Sequence, residues 1–204
     1  MTPRAEIRET GFDHCLDSQD LFRRLLRATA RPGTLVDLRP LSLTVPPGPL
    51  RPACALLLAV LDLEVSFHVV GPEAAWLTEY LCLNTGAWEA PIENADFILV
   101  TAPTAGDAIG RVRCGTLTAP HRGATVIYTP MSLTPPTDPG TLVLSLQGPG
   151  IAREARLPVR GILAGEWERL RALMDFPLGV DIWLAARDGD LAVIPRSTRF
   201  RVEG

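Results

Sequence analysis

Apolar positions in the first part of the chain recur at helical spacing. Leu21, Phe22, Leu25, Leu26 and Thr29 fall on one face of a segment that Ser18 is placed to cap and Pro32-Gly33 to end. Arg23, Arg24 and Arg27 lie off that stripe. Residues 34–38 then read as a strand, and Pro40, Pro46, Pro47 and Pro49 impose an irregular, exposed loop, because proline fits neither a helix interior nor a central strand. The apolar run 53–61 predicts a buried helix and 65–70 a strand. Pro72 and Glu73 open a further helix with Trp76, Leu77, Tyr80 and Leu81 on one face, and residues 96–101 form the next strand. Helices alternating with β-branched and aromatic strands imply an α/β layered fold, a sheet covered by helices.

From Cys114 onward the pattern changes. Strands 124–128, 141–147 and 154–159 follow one another through Gly and Pro turns with no helix between them, so part of the sheet is expected to be antiparallel. A helix over 163–174 groups Trp167, Leu170 and Met174, and residues 180–186 and 191–194 form a hairpin around Asp188-Gly189. No internal repeat or low-complexity segment interrupts the chain. Its 204 residues, 47% hydrophobic, suffice for the core of one domain spanning 1–204.

Charge narrows the function. The 23 acidic and 20 basic residues are intermixed and sum to −3, which argues against nucleic-acid or membrane-surface binding through bulk charge. Every basic residue is arginine. Without a lysine ε-amine, neither a Schiff base with pyridoxal phosphate nor a GxxxxGK[ST] phosphate loop can form. Cys15, Cys54, Cys82 and Cys114 are widely separated and read as reduced thiols. Arg4, Glu6, Arg8, Glu9 and Asp13 put charge where a secretory signal would be apolar, and the longest apolar run, 53–61, falls well short of the roughly 20 residues that span a bilayer. A cytoplasmic protein, with no membrane association, is the expectation.

Candidate chemistry is sparse. His68 alternates with Phe67 and Val69 and reads as a structural histidine on one sheet face; His14, between Asp13 and Cys15, forms no nucleophile and base merely by adjacency. His121 sits with Thr116, Thr118 and Arg122 in a glycine-bearing loop over residues 115–125. Such a loop either presents donors to an anion or is a solvated connection. Gly148-Pro149-Gly150 is a turn, since Pro149 removes an N–H that a phosphate would need. No HExxH, no spaced Cys/His set and no GxSxG elbow occurs, so metal-centred and serine-hydrolase readings find no support. Arg196 and Asp181 flank the last hairpin, either as an internal ion pair or as an anion-binding arginine held by a carboxylate.

Several blocks in order carry a family resemblance. They are Phe22-Arg23-Arg24-Leu25-Leu26 with Pro32-Gly33, Leu61-Asp62, Thr85-Gly86-Ala87, Ala95-Asp96-Phe97, the Gly115-Thr116 to Gly123-Ala124-Thr125 loop and Gly148-Pro149-Gly150-Ile151. Phe176-Pro177-Leu178-Gly179-Val180-Asp181 and Pro195-Arg196-Ser197-Thr198 complete the set. Together they resemble PhnH, a subunit of the bacterial carbon-phosphorus lyase core complex; Asn84 stands where that family has a histidine, and a threonine usual after Leu61-Asp62 is replaced near Val65. The resemblance implies a three-layer α/β/α sandwich with a mixed sheet, similar to the large domain of PLP-dependent transferases but lacking PLP, and no cofactor.

It further implies a homodimer and an assembly with G, I and J subunits that process alkylphosphonates. In that pathway ATP loses adenine and its ribose C1 receives the phosphonate, so phosphonate or ATP would be met within the complex. On this reading the chain is an accessory subunit of a transferase complex without turnover of its own. A binding module using Arg196, Asp181, Thr198, Thr116, His121 and Arg122, with Arg23 and Arg24 as further ligand or partner contacts, is one alternative. A free-standing small-molecule transferase is the other.

Overall fold

A computed structural model describes residues 11–39, 48–134 and 140–203. The first helix, α1 (Leu16–Ala30), starts two residues ahead of Ser18. Asp13 performs the capping expected of Ser18: its Oδ1 accepts from the Cys15 and Leu16 amides at 2.8 and 2.9 Å, and its own amide donates to Asp17 Oδ2 at 2.9 Å. Those amide bonds, Leu16 first, hold the exposed Asp13 carboxyl below its usual pKa. The buried stripe is also narrower than expected. Leu21, Leu25 and Ala28 pack inward, whereas Phe22 and Leu26 are each 51% exposed.

The strand expected over 34–38 shortens to β1 (Val36–Asp37), with the Leu38 amide adding one bond to the Gly189 carbonyl at 2.7 Å. Pro40, Pro46 and Pro47 lie outside the described residues; Pro49 sits in a short 3₁₀ turn, Gly48–Leu50, that leads into α2 (Arg51–Val60). Pro52 at the start of α2 pre-sets helical φ where no intrahelical donor is needed. Ala53 to Leu58 are buried on every side, the outcome predicted by a run with no polar face.

The chain continues as β2 (Ser66–Val70), α3 (Ala74–Thr85), β3 (Trp88–Glu89) and β4 (Phe97–Val100). A short hairpin, β5 (Cys114–Thr116) and β6 (Ala119–Gly123), then leads to β7 (Thr125–Tyr128), β8 (Thr141–Gln147) and β9 (Ala155–Arg160). After these come α4 (Ala164–Ala172), β10 (Asp181–Ala185), β11 (Asp190–Ile194) and β12 (Arg199–Val202). The hairpin occupies the stretch expected as an open loop, and β3 and β12 had no periodic signal because each is too short to show one.

The main sheet has the order β1-β11-β10-β7-β4-β2-β3 and is mixed. Strands β10, β7, β4, β2 and β3 run parallel, while β11 is antiparallel to both β10 and β1. Strands buried on both faces read as unbroken apolar runs, which is why Phe97–Val100 shows no alternation. On one face Phe67, Val69, Leu99, Ile127, Trp183 and Val193 pack against α1, α2 and α3. On the other, Ile98, Val100, Val126, Ile182, Leu184 and Ile194 meet α4 and a second sheet of order β12-β8-β9. The antiparallel part expected of the main sheet is supplied by β11; of the strands expected after Cys114, β7 joins that sheet in parallel, whereas β8 and β9 do not extend it. They build a separate one, so the second layer mixes strands with one helix instead of being helical throughout.

A buried carboxylate fastens that layer. Glu166 is fully buried and accepts from Thr104 Oγ1 at 2.5 Å, the Ala105 amide at 2.9 Å and Tyr128 Oη at 2.5 Å, with Arg169 Nη1 3.9 Å away. Helix α4, the 104–105 loop and β7 thus share one charged acceptor.

Candidate functional site

Polar side chains gather at the two ends of the parallel strands. At the amino ends, Asp96 Oδ2 accepts from the Ser66 amide at 2.9 Å and Ser66 Oγ at 2.7 Å, and Oδ1 from Arg113 Nη2. Burial alone would push the Asp96 pKa up, but these donors, the Ser66 amide foremost, outweigh it and hold the carboxyl below its usual value.

Arg196 and Asp181 lie at the same end. Asp181 Oδ1 accepts from the Arg196 amide at 2.8 Å, and Oδ2 from Arg196 Nε at 3.2 Å and Nη2 at 2.5 Å. Nη1 donates to the Pro120 carbonyl and Nη2 also to the Gly123 carbonyl at 3.3 Å. Four of the five guanidinium donors are therefore engaged by protein acceptors. The Arg196 side chain is only 15% exposed, and it lies beneath the β5–β6 hairpin as the clamp that holds it. Gly123 permits this approach, since a Cβ there would stand 2.4 Å from the Gly179 carbonyl oxygen and 2.5 Å from Arg196 Nη1.

Of the other residues expected at this site, His121 and Arg122 are exposed on β6. Thr116 is exposed on β5, 3.2 Å from Thr118 Oγ1 and accepting from the Ala119 amide at 3.1 Å. Thr198 follows the turn after β11 with its side chain buried and Oγ1 unpartnered. Arg23 and Arg24 are not brought to this end. They line a separate cleft between α1 and β1, where Arg24 bonds Asp20 at 2.7 Å and the Asp37 carbonyl. The expected set therefore divides into two groups on different parts of the molecule. His68 sits at a sheet face with Nδ1 2.9 Å from the Ala90 carbonyl, and among the described residues no cluster of three or more His, Cys, Asp or Glu could hold a metal ion.

The carboxyl ends of the strands carry a further polar feature. In open α/β sheets this is the end where ligands bind, because the connections splay apart there. A cleft of about 430 Å³ opens there beside the start of α2, lined by Arg39, Arg51, Pro52, Arg187, Asp188 and Gly189 among others. Arg39 is anchored by Asp37 Oδ1 at 2.8 Å and Asp190 Oδ1 at 2.9 Å. Arg187 crosses the ends of β7 and β4, its Nε donating to the Thr129 carbonyl at 3.2 Å and Nη2 to the Thr101 carbonyl at 2.9 Å. Desolvation raises the Asp190 pKa against the opposing pull of Arg39. Sequence reading passed over these three arginines. The available signal was an arginine directly beside each strand end or helix start, in segments that only folding brings together.

Comparison with known proteins agrees on one family. Residues 10–201 match the family described as "Bacterial phosphonate metabolism protein (PhnH)". The chain is 31% identical over 187 residues to the putative C-P lyase subunit protein HtxG of Stutzerimonas stutzeri, covering 91% of this chain and 87% of that protein. It is 27% identical over 211 residues to the alpha-D-ribose 1-methylphosphonate 5-triphosphate synthase subunit PhnH of Rhizobium meliloti (strain 1021), covering the whole of both.

Proposed function

The chain belongs to the PhnH family of bacterial phosphonate metabolism proteins, and on that premise we propose that it is an accessory subunit of a carbon-phosphorus lyase complex in phosphonate catabolism. Its role there is to assist, through assembly, the transfer of phosphonate to ribose C1 of ATP with release of adenine, in company with G, I and J subunits and as a cytoplasmic homodimer. The likeness to the large domain of PLP-dependent transferases belongs to the same proposal.

The observation that carries it is the outer face of α1. Phe22 and Leu26, one turn apart, are half exposed, Leu16 is 68% exposed, and Arg23 and Arg27 beside them have no ion-pair partner among the described residues. A helix presenting apolar side chains and unpaired cations to solvent is built to be covered by another surface. Among the described residues no helix is long and apolar enough to cross a membrane, so a bilayer-spanning role for this helix is not needed to explain it.

Co-expression of the tagged chain with candidate G, I and J subunits, followed by affinity capture and native mass spectrometry, tests the reading. A stoichiometric complex is expected. Recovery of this chain alone, with turnover of phosphonate and ATP by the isolated protein, would replace the subunit reading with a free-standing transferase.

A further inference from the structure

Three guanidinium groups converge on the cleft at the carboxyl ends of the sheet, and they are not equivalently compensated. Arg39 is neutralised by Asp37 and Asp190, which also fix its position. Arg187 is held only by two neutral carbonyls, which orient its plane and leave its charge unmatched. Arg51 Nε is buried without a hydrogen-bond partner, and no ion pair to Arg51 occurs among the described residues. Two uncompensated guanidiniums thus face one exposed carboxylate, Asp188, on the cleft wall.

The start of α2 adds to this field. Its N-cap, Leu50, makes no side-chain cap and its first turn holds no acidic residue, so no carboxylate of that turn offsets the positive end of the helix beside Arg51. A guanidinium at a cleft wall with neither acceptor nor counter-charge is costly unless something supplies one to its outer Nη groups. Forked donors on two arginines suit an acceptor with several oxygens arranged around one centre.

We infer that this cleft binds a tetrahedral oxyanion of the phosphate class, the phosphoryl or phosphonyl end of a small molecule, with Arg51 and Arg187 as its principal donors. Arg39 forms the fixed wall beside them. The oxyanion follows from the charge and donor geometry; choosing a phosphoryl or phosphonyl group over a carboxylate rests on the phosphonate reading above.

Calorimetric titration of the full chain with tripolyphosphate and with methylphosphonate tests the site. Arg51→Gln is the decisive variant because Arg51 holds no other element in place. Arg187→Lys, with its thermal midpoint checked against the parent, is the second, and Arg156→Gln, in an exposed pair with Glu203 elsewhere, is the control. Saturable binding weakened at least tenfold by Arg51→Gln and by Arg187→Lys, and unchanged by Arg156→Gln, is the expected result. Absence of saturable binding, or equal affinity in the parent and Arg51→Gln, overturns the site. Equal binding of acetate overturns the phosphate class. Failure of the subunit reading would appear separately, as loss of complex capture with oxyanion binding intact.

Discussion

Arg196 Nη2 lies 2.5 Å from Asp181 Oδ2, and the same guanidinium reaches across to the Pro120 and Gly123 carbonyls. One side chain therefore ties the start of β10, the end of β11 and the β5–β6 hairpin together. Removing it leaves a largely buried carboxylate and two carbonyls without donors. Arg196→Ala is expected to lower stability by about 2–4 kcal/mol in urea denaturation, with Arg196→Lys restoring less than half because an ammonium cannot reproduce the fork. Faster amide exchange in the 119–124 segment should accompany the loss. Unchanged exchange there would dismiss the clamp.

The chain's two tyrosines both titrate abnormally high. Burial is the main cause at each, reinforced at Tyr128 by the Glu166 carboxylate that accepts its hydroxyl proton bond and at Tyr80 by Cys54. A raised pKa for a neutral acid means that the folded state favours the protonated form. The associated stability is complete below the unfolded tyrosine value, about 10, and is lost as pH rises beyond it. Absorbance at 295 nm should stay flat through about pH 10–11 and then rise together with unfolding. A simple titration of either tyrosine near 10 in the folded protein would contradict the burial described.

Asp96 behaves oppositely. Its carboxyl is held below the usual aspartate pKa in the folded state, so its contribution is present above about pH 4 and fades as pH falls through the folded value. Asp96→Asn should cost about 1–3 kcal/mol at pH 7, through loss of the charge-assisted bonds from Ser66 and Arg113. At pH 3 the difference from the parent should shrink. A cost independent of pH would assign the effect to packing.

On α1, neighbouring positions should separate stability from assembly. Leu21→Ala removes a fully buried side chain and is expected to cost about 2–5 kcal/mol. Phe22→Ser and Leu26→Ser should change stability by about 0.5 kcal/mol or less, as surface substitutions do, yet reduce capture of partner subunits. Undiminished capture by the double variant would move the partner surface elsewhere.

Legibility in the sequence followed the range of the interactions concerned. Helix α2, strands β2, β4, β7, β8 and β9 and the β10–β11 hairpin were readable from apolar runs and turn residues, because each pattern reflects burial of consecutive or near-consecutive side chains. The cap of α1 was misplaced since Asp13 acts through a turn ahead of the helix, where serine at position 18 carried the familiar signature. Phe22 and Leu26 were placed in the core stripe because periodicity alone does not say how wide a face the neighbours cover.

The sequence by itself determined the α/β class, the arginine-only cation set with the lysine chemistry it rules out, and, through ordered blocks from Phe22 to Thr198, the family. Tertiary structure alone decided what the charged groups do. Strand order and the direction of β10 and β11 send Arg196 to the amino ends, where Asp181 and two carbonyls engage it, and bring Arg39, Arg51 and Arg187 from separate segments to one cleft at the carboxyl ends. A guanidinium's role depends on which acceptors surround it, and those acceptors come from strands and loops whose pairing is set by the packing of the whole sheet.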